Sequence, residues 1–154
     1  MSIMEMNRDR AARVRRKSVF SLPRLVMAGV AMLCLAAPLA AKPAIRDVDT
    51  LDSGLFVVGL AHEIRKNCPV IEPRITRAIT FLRGLERQAY ALGYTRDEIR
   101  RHLKSDAEKD RLRARAAKYM DARGLGQDTD GYCALGRSEI AQKTEIGALL
   151  RVTK

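Results

Sequence analysis

The stretch that most limits what this chain can fold into is Cys68–Leu92, CPVIEPRITRAITFLRGLERQAYAL. Within it Ile75, Ala78, Ile79, Leu82, Leu85, Ala89 and Leu92 recur at helical spacing and share one helix face. Arg77, Arg83 and Arg87 fall off that stripe. A helix divided in this way needs something apolar to lie against, and the expectation is a helix packed in the core. Pro73 is read as opening it, in the first turn where a missing N–H costs nothing. Gly93 is read as closing it, because glycine accepts the left-handed turn that ends many helices.

Cys68 also raises the question of compartment. The first 41 residues carry seven basic side chains and two acidic ones, which is +5 of the net +11. A basic segment ending at Arg24 runs into the apolar stretch Leu25–Ala37, then Pro38 and the small pair Ala40-Ala41. That order is the pattern of a secretory signal peptide cleaved after Ala41. An alternative keeps the run as a membrane anchor, although it falls short of the roughly 20 residues a spanning helix needs. Cys34 is preceded by Leu33, too large for a lipoprotein box. The expectation is therefore a signal peptide over 1–41 and one exported, periplasmic or secreted domain over 42–154. The membrane would be met only through an uncleaved leader. That domain contains two cysteines, Cys68 and Cys133. An even count in an oxidising compartment predicts that they pair; two buried free thiols are the other possibility.

The remaining pattern is helical throughout. Val57, Leu60, Ala61, Ile64 and Cys68 make a stripe on a first helix, with Asp52 or Ser53 read as its cap. Thr95-Arg96-Asp97-Glu98 is a capping box opening a short third helix with Ile99 and Leu103 inward, and Ser105-Asp106-Ala107-Glu108 is read as repeating the device. The fourth helix carries Leu112, Ala116 and Met120; a fifth, capped by Thr129 or Asp130, carries Cys133, Gly136 and Ile140; Glu145–Leu150 is read as a last short one. No β-alternation of useful length is visible. The predicted fold is all-α: a single bundle of five to six short helices, stapled by one disulfide.

Little in this sequence points to chemistry. His62-Glu63 begins like the zinc-protease motif HExxH, but Lys66 stands where the second histidine belongs. His102, the other histidine, stands alone. The cysteines lack C-x-x-C spacing. Asp128-Thr129-Asp130-Gly131 suggests a calcium loop, with Glu139 at its twelfth position, yet the glycine falls at the wrong offset. No catalytic, cofactor or metal residue is assigned. On the fourth helix Arg111, Arg115 and Lys118 share a face that could bind an anion. Export and an aromatic content of 5% argue against nucleic acid. In an envelope the anion would be a lipid headgroup, a polysaccharide or an acidic protein.

Four segments together, NCPVIEPRITRAITFLRGL, GYTRDEIRRHL, DAEKDRLRARAAKYM and YCALGRSEIAQKTEIGALLR, resemble a domain-of-unknown-function family of small exported alphaproteobacterial proteins, numbered 5333. The resemblance covers Gly54–Arg151. It implies an exported, helical, disulfide-bonded domain, with Cys68 and Cys133 where the family expects its cysteines, and it implies no activity. The function expected is a non-enzymatic module that binds an envelope protein or an anionic surface. The alternative is an envelope enzyme, or an accessory to one, that uses His62 and Glu63.

Overall fold

The structure, a computed structural model, describes residues 42–153. The leader lies outside the described residues. From Lys42 a short lead-in passes through a 3-10 turn at Ile45–Asp47 into α1, Asp49–Asn67. After α1 come a short strand β1, Ile71–Pro73, then α2, Ile75–Ala91, α3, Arg96–Lys104, and α4, Asp106–Asp121. The chain finishes with α5, Thr129–Gln142, α6, Glu145–Ala148, and a strand β2, Leu150–Val152. The six-helix, disulfide-bonded architecture agrees with the sequence reading.

The main core gathers around α1. Its Phe56, Val57, Leu60, Ala61 and Ile64 pack with Ala116 and Met120 of α4, Leu135 of α5, and Ile146, Leu149 and Leu150 at the end of the chain. Leu60, Ile64, Met120, Leu135 and Leu150 are essentially sealed from water, each contributing roughly 1.5–3 kcal/mol by burial. Cys68 caps the end of α1 and is bonded to Cys133 in the second turn of α5, with Cα atoms 5.0 Å apart. Gly136, one turn past Cys133, brings α5 close to Ile64 and Ile71, where any β-carbon would meet their methyl groups.

Several local readings are corrected. Helix α1 starts before Asp52 and Ser53: the capping position is Val48, with no side-chain cap, and the amides of Leu51 and Asp52 bond to its carbonyl. Pro73 lies in a strand instead of opening α2. β1 pairs antiparallel with β2, Ile71 opposite Val152 and Pro73 opposite Leu150. Three residues are too few to show an alternating pattern in sequence, and an edge strand tolerates a proline. Glu72 and Arg151 face each other across this ladder at 2.8 Å. Helix α5 is capped by Asp128, one residue before the expected position, through the amide of Gly131. The same cap removes the calcium reading, since Glu139 lies inside α5, turns away from Asp128.

The largest departure concerns α2. Its stripe exists, but only Ala89 is buried. Ile75 is 60% exposed, Ile79 44% and Leu82 43%. The helix leans on α1 through Phe81, Leu85 and Ala89, while the adjoining part of its apolar face remains open to water. Ala89 and Tyr94 join Ile45 and Leu51 in a small second core beside the main one. Gly93, at φ +82°, turns the chain into α3 as expected.

Candidate functional site

Two surfaces bear on function: an arginine cluster where α1 meets α4, and the open side of α2 and α3. The first is built on Asp52. Sitting in the first turn of α1, it lies one helical turn before Phe56 and accepts from two arginines of α4. One carboxylate oxygen takes Arg111; the other takes Arg115 at 2.8 Å. The Arg115 guanidinium also lies over the Phe56 ring, 4.2 Å from its centre, a cation–π contact. Arg111 reaches Glu108 at 2.8 Å, and Glu108 in turn holds Arg46 at 3.0 Å.

Glu108 therefore departs from the expected capping box. Ser105 caps the amide of Glu108, but the carboxylate turns to Arg111 and Arg46 instead of back to Ser105. At Thr95 and Glu98 both halves of the box form. Hydrogen bonds from Arg111 hold the Glu108 carboxyl below its usual range, against the opposing effect of burial. Asp52, then Glu108, hold the Arg111 proton more tightly than usual. Lys42, with the Thr95 amide and hydroxyl, pulls Glu98 down to about 2. Lys42 also bonds the Gly93 carbonyl, and Tyr94 donates to the Pro43 carbonyl at 2.6 Å. The lead-in, patternless in sequence, is pinned in this way to the turn between α2 and α3.

This geometry bears directly on the expected anion stripe. Arg111 and Arg115 are partnered internally by Asp52. Of the three residues, Lys118 alone has no ion-pair partner among the described residues. The sequence carried a signal for the missing partner: Asp52 precedes Leu55 and Phe56 by one turn, so an acid stands on a largely buried stripe and calls for a cation. We predict that Asp52→Ala lowers stability by about 1–2 kcal/mol, the value of charged hydrogen bonds discounted for partial exposure. Arg113→Ala, which breaks an exposed pair with Asp110, should change it by less than about 0.5 kcal/mol. Urea denaturation of the two variants checks both values.

His62 and Glu63 open onto one water-facing hollow between α1 and α4. Neighbours in a helix diverge by about 100°, and no hydroxyl or thiol lines the hollow; its charged walls are Lys66, Lys109 and Arg113. Glu63 accepts from Asn67 in the next turn. His102 is half-buried beside α1, and that burial lowers its pKa. Among the described residues no three of His, Cys, Asp and Glu converge as a metal site. Glu139 is buried; it accepts from Tyr119 at 2.7 Å and from Thr144, and so ties α4 to the α5–α6 turn. Burial, and then this bond, raise the Tyr119 pKa.

The second surface was missed as a surface because its pattern read as core. Leu82 and Leu85 of α2, Ile99 and Leu103 of α3, and Leu51 and Leu55 of α1 enclose an apolar groove of about 220 Å³. Leu103 on its far rim is 51% exposed. Arg77, Arg83 and Arg87 on α2 are exposed and have no ion-pair partner among the described residues. Glu86 accepts from Tyr90 at 2.8 Å. Tyr90 foremost, and then Glu86, raise the pKa of Arg96 at the start of α3.

With this geometry in view, comparison with known proteins gives one result. A family model matches residues 43–151, nearly all of the described chain. The chain belongs to DUF5333, a family of unknown function. No curated protein and no solved structure gives a significant match. The DUF5333 match spans both cysteines, the arginine cluster and the α2–α3 groove. It agrees with the resemblance read from the sequence and brings no activity with it. Among the described residues no helix is long and apolar enough to cross a membrane.

Proposed function

We propose that this protein is a small exported module that works by binding, not by catalysis, and that its binding face is the open side of α2 with the groove beside it. Its target in the envelope is another protein or an anionic surface, and nucleic acid is not among the expected partners. The observation that carries this reading is the exposure of Ile75, Ile79 and Leu82 on a helix whose sequence is strongly divided into apolar and basic faces. Contiguous apolar side chains left in water, rimmed by charge, mark interaction sites more often than chance decoration. The basic leader followed by an apolar run supports export. The reading with His62 and Glu63 in catalysis has less support, because their hollow is lined by no hydroxyl or thiol and the two side chains diverge along the helix.

A photo-crosslinking side chain placed at Ile79 in living cells should give a discrete adduct with an envelope component. The same side chain at Lys118, on α4, should not. Equal labelling from both positions, or none from Ile79, would remove the binding face from the account. Fractionation of the same cells checks export: protein recovered wholly with the cytoplasm would contradict it.

A further inference from the structure

We propose that the valley between α2 and α3 seats an acidic amphipathic helix from a partner protein. The inference rests on the preceding reading of this face and adds the chemistry of what binds there. Shape comes first. Leu55 lies at the floor, Leu82, 43% exposed, rises on one side, and Leu103, 51% exposed, rises on the other. A flat bilayer would bury the raised side chains and leave the floor empty, whereas a helix laid along the valley fills it. Size agrees. About 220 Å³ is below the roughly 300–1,000 Å³ of small-molecule sites, but it accommodates apolar side chains projecting from a helix. The groove follows α2 from Leu82 to Ala89, about 10 Å at 1.5 Å per residue. Ile75 and Ile79 extend the apolar row by about two further turns. That length suits anchors at i, i+3 or i+4, and i+7, the usual way an amphipathic helix enters a groove.

Charge selects the partner. Helix α2 carries Arg77, Arg83 and Arg87 against Glu86. Helix α3 carries Arg96, Arg100, Arg101 and Lys104 against Asp97 and Glu98. Each helix is therefore net positive, and Glu86, the acid that lines the groove itself, is bonded to Tyr90. A second copy docking through the same face would set these basic helices against each other, and like charges across an interface are costly. An acidic helix places carboxylates beside Arg83 and Arg87, which have no ion-pair partner among the described residues.

The test uses the purified protein and a defined probe. The probe is a fluorescein-labelled peptide of about four turns, with Leu at the anchor positions and Glu elsewhere; a matching Lys peptide and phosphatidylglycerol vesicles serve as comparisons. We expect saturable anisotropy with the Glu peptide, weakened by salt, and none with the Lys peptide. Leu82→Glu should weaken binding by about tenfold or more, as loss of an interface anchor does. The pair Arg83→Glu and Arg87→Glu, both on exposed positions, should weaken it without altering the circular dichroism melt. Lys118→Glu should leave it unchanged. Equal binding of both peptides, or no binding of the Glu peptide, overturns the proposal. So does vesicle binding that Leu82→Glu abolishes while the Glu peptide fails to bind, which assigns the face to a membrane. A dimer in sedimentation that Leu82→Glu dissociates overturns it in favour of a second copy. If the Ile79 crosslink forms in cells while the Glu peptide fails to bind, the face binds something of other chemistry and only this inference is lost.

Discussion

Reducing the Cys68–Cys133 bond, or replacing both cysteines by alanine, should lower the stability of the domain by about 4 kcal/mol. The figure follows from their sequence separation of 65: a cross-link over a loop of that length removes that much chain entropy from the unfolded state. Domains of this size are commonly stable by about 5–15 kcal/mol, so the bond accounts for about a quarter or more of the total. The bond sits where the loss is felt most. Cys68 is completely buried at the end of α1, and Cys133 is buried in α5 beside Leu135. Guanidinium denaturation with and without dithiothreitol measures the effect. Reductant should move the native protein to the midpoint of the double alanine variant and leave that variant alone. A midpoint indifferent to reductant would mean the cysteines are not joined in solution.

The second large effect is steric. Gly147 in α6 lies so close to the end of α5 that a β-carbon there would stand 2.0 Å from the Glu139 carbonyl oxygen and 2.3 Å from its carbon. Both obstacles are backbone, which has no rotamer with which to yield. Gly147→Ala must push α6 away from α5, and with it Ile146, Leu149 and Leu150, all buried in the main core. We expect a loss of about 3 kcal/mol, the upper part of the range for overpacked cores. Gly59 in α1 and Gly84 in α2 provide the contrast. A β-carbon at either meets nothing within 4 Å, so alanine there should raise stability by roughly 0.5–1 kcal/mol through the helix backbone. Denaturant midpoints for the three variants should shift in opposite directions. Equal shifts would contradict the close approach of α6 to α5.

The sequence revealed the helical class, the cysteine partners and most helix ends, because each depends on residues close together in the chain. Thr95 and Glu98, three apart, sufficed for the start of α3; Gly93 sufficed for the end of α2. What it concealed depends on residues far apart. Asp52 meets Arg111 and Arg115 across 59 and 63 positions, and β1 meets β2 only after the whole chain has returned. The α2 stripe misled for a different reason. Amphipathic spacing says which side of a helix seeks apolar company, and not whether the same chain supplies it. Helix α1, apolar nearly all round at Leu55–Leu60, was the better sign of a central element, because a helix without a polar side must be surrounded. The candidate site was thus legible as residues and not as a surface.

The shallow seating of α2 also bears on how the molecule moves. Local opening is least costly where few apolar side chains leave the core, and α2 would withdraw only Ala89 fully, with Phe81 and Leu85 in part. Helices α1 and α5 cannot open without parting the sealed interior around Leu60 and Leu135, and the cystine holds them to each other. Amide hydrogens of α2 should therefore exchange with solvent ahead of theirs. The face proposed to bind belongs to the softest long helix of the domain, while its scaffold stays locked. A helix settling into the valley would quieten α2, so that part of the binding free energy goes into ordering a segment already present.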